Sequence, residues 1–129
     1  MVRKPVFEAP MKYLCLVYIE EEKLNALPKE EMDALVAEAL AYREELRKSG
    51  HHIASDALQP VETATTLRRR NGKLAITDGP FAETKEQLGG FILIEARDLN
   101  EAMHVAARFP PGRLGSVEVR PVKELMMAN

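Results

Sequence analysis

Four ionisable side chains crowd into one short polar stretch, Asp78-Gly79-Pro80-Phe81-Ala82-Glu83-Thr84-Lys85-Glu86. A carboxylate such as Asp78, Glu83 or Glu86, set at a cleft mouth beside the aromatic ring of Phe81, suits general acid–base work once burial raises its pKa. Lys85 between two glutamates makes a mixed-charge cluster that can hold an anionic group as a point charge. The same residues also fit a structural turn. Asp78 would bond backbone two residues on, Gly79 and Pro80 would shape the bend, and Phe81 would plug the core. Glu83, Lys85 and Glu86 would form one helical turn ended by Gly89-Gly90. Both readings stand on the residues alone. Pro80 fixes a backbone angle and Phe81 asks for burial, so the loop reads as ordered.

Elsewhere the candidates are thinner. Tyr42 falls near the flank of a helical apolar stripe, where it can line a cleft and touch a ligand. His51 and His52 are adjacent on a strand, so their side chains point to opposite faces and cannot chelate one ion together. His104 lies opposite an apolar helix stripe and reads as exposed. Arg68-Arg69-Arg70 has no interleaved aromatics and reads as a solvated edge. Glu118 and Arg120 share a strand face and suit an ion pair, across a dimer if one forms. Cys15, the single cysteine, sits in an apolar run and reads as a buried, inert thiol. Nothing places a nucleophile beside a base, and there is no phosphate-binding glycine loop and no close metal-ligand spacing. No metal or cofactor is expected.

Those residues must be positioned by a single domain. The 129-residue chain is 46% hydrophobic and 29% charged with a net charge of −2. That composition is globular and excludes a basic nucleic-acid surface or an electrostatic membrane anchor. No apolar run approaches the ~18 residues of a membrane span, and the first residues hold no signal peptide. A cytoplasmic protein is expected. Residues 1–10 carry two prolines and no periodicity, so they read as a flexible extension, with Met11 as an alternative start. The domain runs over 11–125, and 126–129 form a tail.

Lys12 to Ile19 is apolar on both faces, as a central strand requires. Pro28 to Ser49 reads as a long amphipathic helix: Met32, Leu35, Val36, Ala39, Leu40, Arg43 and Leu46 recur at helical spacing, and Gly50 caps the end. His51 to Leu58 is half polar and suits an edge strand. Asn71-Gly72 marks a type I′ hairpin joining Thr63–Arg70 to Lys73–Asp78, with Leu67 opposite Ile76 and Arg69 opposite Leu74. Gly90 to Ala96 is a second central strand. Asp98 caps a helix with Glu101 completing a capping box, and Ala102, Val105, Ala106 and Phe109 form its stripe. Gly115 to Val122 alternates as an edge strand.

The predicted architecture is α+β: a ferredoxin-like split βαβ with an inserted β-hairpin. Two helices cover only one face of a sheet whose central strands are apolar on both. A homodimer through a sheet-to-sheet contact of roughly 1,600 Å² or more covers the other.

The run Asp78 to Gly90 resembles the signature of the DGPF family, part of the YCII-related superfamily. Met11-Lys12-Tyr13, Leu58-Gln59-Pro60, Thr63-Ala64-Thr65-Thr66 and Gly115-Ser116-Val117-Glu118-Val119-Arg120-Pro121 support it. The resemblance implies a dimeric α+β barrel. In the wider superfamily a histidine on the first helix and an aspartate near the end of the second are the suspected acid–base pair, and some relatives act as dehydrochlorinases. Here the first helix has no histidine and the second ends Arg108-Phe109-Pro110, so that chemistry does not carry over. The resemblance also implies association with an extracytoplasmic-function sigma factor. The function expected is binding of a small polar molecule in a cleft near Asp78–Glu86, through Tyr42, Asp78, Phe81, Glu83, Lys85 and Glu86. The alternatives are a cofactor-free lyase or oxygenase-like enzyme with Asp78, Glu83 or Glu86 as base, or a regulatory partner of the sigma factor.

Overall fold

The computed structural model describes residues 10–127. The expected N-terminal extension, apart from Pro10, and the last two residues of the tail lie outside them. Nine elements follow in order: β1 (Met11–Ile19), α1 (Glu21–Asn25), α2 (Lys29–Lys48), β2 (His52–Ala57), β3 (Thr65–Arg70), β4 (Lys73–Asp78), β5 (Gln87–Ala96), α3 (Leu99–Ala107) and β6 (Gly115–Pro121), with 3₁₀ turns at Val61–Thr63 and Pro110–Leu114. The fold is α+β. Four strands form an antiparallel sheet in the order β2-β5-β1-β6, and β3 and β4 form a separate two-stranded sheet. The two doubly apolar segments are central and the two half-polar ones are edges, as their patterns require. The sheet is open, and no closed barrel forms among the described residues.

Pairing explains the burial. On one face Tyr13, Cys15 and Val17 of β1 and Ile92, Ile94 and Ala96 of β5 are buried beneath Tyr42 and Leu46 of α2 and Ala102, Val105 and Ala106 of α3. Ile94 is fully enclosed. On the other face Leu14 pairs with Leu93 and Leu16 with Phe91, and all four remain partly exposed. Cys15 is buried with its thiol pushed up to about 11 by desolvation, so the thiolate is suppressed at neutral pH.

Local chemistry sets the ends of the elements. Pro28 takes an extended conformation just before α2, so the helix begins at Lys29, one residue after the expected start, with Glu30 and Glu31 in the first turn and Arg47 and Lys48 in the last. The hairpin turn is as expected: Asn71 (φ 51°) and Gly72 (φ 77°) both occupy the left-handed region, and Leu67 faces Ile76 and Arg69 faces Leu74. The Asp98 side chain accepts the Glu101 N–H, capping α3. The Glu101 carboxylate reaches back one residue further than a standard capping box, to the Arg97 N–H at 3.1 Å, and also approaches His51 Nε2 at 3.2 Å. That contact ties the start of β2 to the start of α3.

The sequence pattern missed α1, a short helix that begins inside the run Glu20-Glu21-Glu22. The reading of Phe81 as a core plug also fails. The ring is 80% exposed, with the Arg68 guanidinium of β3 over it, 5.7 Å from its centroid. Replacing Asp98 by Ala is expected to lower unfolding stability by about 1 kcal/mol, with Asp98→Asn much milder, as measured by urea denaturation.

Candidate functional site

The polar loop is held chiefly by bonds to backbone. Gly79 has φ 118°, its N–H donates to Ala64 O at 2.7 Å, and its carbonyl accepts from Thr66 Oγ1 at 2.8 Å. Arg68 donates to Phe81 O, Thr84 Oγ1 donates to Glu86 O, and the Gln87 amide donates to Ala82 O and Thr84 O. These contacts make the segment a bent loop, and no helical turn forms over Glu83, Lys85 and Glu86. From Gln87 onward the chain is already β5. Gly89-Gly90 therefore does not end a helix. Gly89 is the extra residue of a bulge opposite Val17 and Tyr18, where a side chain would meet Ile19 Cδ1 at 2.9 Å. Gly90 lets β5 approach the Asp56 carbonyl, 2.8 Å from where a Cβ would sit.

The candidate residues part company. Asp78 ends β4 on the exposed hairpin. Glu83 is exposed beside Gly79. Glu86 accepts a hydrogen bond from Ser116 Oγ at 2.7 Å, linking the loop to β6. Lys85 pairs at 3.2 Å with Glu20, a carboxylate only 7% exposed that also pairs with Lys23 at 3.1 Å. The neighbouring Glu21 carboxylate accepts the Val61 N–H at 2.9 Å. Glu86 and Lys85 therefore stitch the loop to the sheet rather than converging on one point with Asp78 and Glu83.

Tyr42 is a core strut rather than a cleft wall. It is buried, its hydroxyl donates to Val105 O at 2.7 Å, its ring lies 6.5 Å from Phe109, and the Arg108 guanidinium stacks 4.9 Å from its centroid. The tyrosine thus joins α2 to α3. Glu118 and Arg120 lie 3.8 Å apart within one chain.

The cavity lies elsewhere. Between α2 and the sheet is a space of about 320 Å³ lined by Val17, Leu35, Val36, Ala39 and Ile92, together with Gly89 and Gly90 of β5. His52, Ser55 and Arg43 supply its polar groups. A bulge at Ile53 places His52 opposite Ile94 and Ser55 opposite Ile92, so both share the face toward α2, and His52 Nε2 lies 2.8 Å from Ser55 Oγ. Burial first, and then the charges of Arg47 and Arg43, lower the His52 pKa and favour the neutral ring. A mostly apolar chamber with a few convergent polar groups fits a small amphipathic molecule. Sequence reasoning named none of these three as site residues. The available signal was Arg43, a charged side chain set within an otherwise apolar stripe.

Glu20 yields a pH-dependent prediction. Its pKa is lowered, chiefly by the Lys23 hydrogen bond and then by Lys85, against the opposing effect of desolvation. A depressed carboxylate stabilises the fold above its ordinary pKa and loses that contribution as pH falls through the folded value. Glu20→Gln should therefore lower the unfolding midpoint at pH 7, and the gap from the wild type should close below about pH 4, in urea titrations at stepped pH.

Comparison with known proteins places these elements in a family. The family model described as the YCII-related domain matches residues 11–126. An uncharacterized protein of Rhizobium meliloti (strain 1021) is 38% identical over 114 residues, covering 87% of this chain and 92% of that protein. With the match spanning the whole four-stranded sheet, its helices and the hairpin, the chain belongs to the YCII-related domain family.

Proposed function

We propose that the protein is a cytoplasmic homodimer, a dimeric α+β barrel of ferredoxin-like subunits, that binds a small amphipathic molecule in the cavity between α2 and the sheet. The observation that carries the binding reading is the cavity itself, about 320 Å³ of mainly apolar space with His52 and Ser55 hydrogen-bonded on its wall. The strand order β2-β5-β1-β6 with α2 and α3 in one core cluster supports the subunit plan.

The open face of the sheet supports the dimer. Leu14, Leu16, Leu93 and Phe91 form an apolar centre, and the register surrounds them with Lys12, Glu95, Asp56, Glu118 and Arg120. An apolar patch with a charged rim has the anatomy of a protein interface. Static light scattering at micromolar concentration should give twice the chain mass, and a stable monomer would refute the dimer.

Asp78, Glu83 and Glu86 do not line the cavity, so in this reading they shape the loop. Thermal denaturation against a library of small amphipathic metabolites should reveal stabilising compounds, since a ligand at 100 times its Kd adds about 2.7 kcal/mol. Asp78→Asn and Glu83→Gln should preserve that shift. A flat response across the library would remove the binding reading.

A further inference from the structure

We propose that the cavity between α2 and the sheet selects a ligand with an apolar body and one carboxylate, and that Arg43 is the residue that receives the anion. The inference rests on the binding reading above and adds the ligand's charge.

Arg43 lies on the apolar stripe of α2 and lines the cavity. Residues three and four positions away on a helix are its surface neighbours. For Arg43 these are Ala39, Leu40, Leu46 and Arg47, so its own helix offers no carboxylate to pair with it. The other arginines around α2 are paired: Arg47 with Glu44, Arg108 with Glu45 and Arg113 with Glu38. Among the described residues Arg43 has no carboxylate within 4.0 Å. A partly buried guanidinium beside apolar walls, without a counter-ion from the chain, presents its planar fork to a carboxylate more effectively than a solvated lysine would.

The remaining groups fit one negative charge and no more. His52 shares the wall as a neutral ring and can hydrogen-bond a ligand oxygen without adding charge. Asp56 also borders the cavity, but its pairing with Phe91 sends its side chain to the opposite face of the sheet. The rest of the wall is mostly apolar, and Val36 and Leu40 are about half exposed, so an apolar body has surface to cover.

Isothermal titration of the full chain with 2-naphthoate and with 2-naphthamide separates charge from shape, because the two share one ring system. The wild type should bind the carboxylate at least tenfold more tightly than the amide. Arg43→Gln should abolish that preference while retaining amide binding, and Arg47→Gln should keep it, with circular dichroism verifying the fold of each variant. Equal affinity for the two probes in the wild type, or a preference that survives Arg43→Gln, overturns the role given to Arg43 and leaves cavity binding standing. Failure of the folded wild type to bind either probe overturns the role given to Arg43, and a flat metabolite library beside it overturns the binding reading as well.

Discussion

The antiparallel ladder between β1 and β5, from Met11 opposite Ala96 to Ile19 opposite Gln87, is the constraint on which everything else rests. Its two strands carry the largest fully buried side chains, Ile94, Val17 and Cys15, and each edge strand attaches to one of them. Because strand side chains alternate, that one register decides which residues α2 and α3 cover and which stay open. A slip by one residue would exchange Ile92 and Ile94 for Phe91 and Leu93 beneath the helices. The bulge at Gly89 is the single interruption, and it lies where the polar loop feeds into β5.

Features with local causes were legible in the sequence. Asn71-Gly72 dictates a type I′ turn because both residues tolerate positive φ, and the hairpin register follows from it. Asp98 was readable as a cap, and the periodicity of α2 was readable from its apolar spacing. The central and edge roles of the four sheet strands followed from their patterns for the same reason.

What depends on distant partners was not legible. Phe81 has the composition of a core residue, but whether a ring is buried is decided by what the chain brings to it, and here the ring stays exposed beside Arg68. Lys85 looked like a ligand cation because its partner Glu20 lies far away in the chain, at the end of β1. Tyr42 looked like a flank residue until α3 supplied the Val105 carbonyl. The cavity wall depends on a bulge at Ile53, which no alternation pattern announces. The signature stretch is therefore explained mostly as joinery between hairpin, sheet and β1, while the space for a ligand opens on the far side of its two glycines.

The hairpin of β3 and β4 has a mechanical consequence. A lone two-stranded sheet is marginal in water, and this one exposes Leu67, Leu74 and Ile76 without packing them against the main sheet. Its order depends on the rivets at its base, the Gly79–Ala64 and Thr66–Gly79 bonds and the Arg68 grip on Phe81. Segments with little buried apolar surface open at lower free energy than the core, so this arm is expected to exchange its amide protons before the four-stranded sheet does. Insertions or deletions near its Asn71-Gly72 tip would leave the Ile94 core undisturbed, whereas changes at the rivets would reach the polar loop directly.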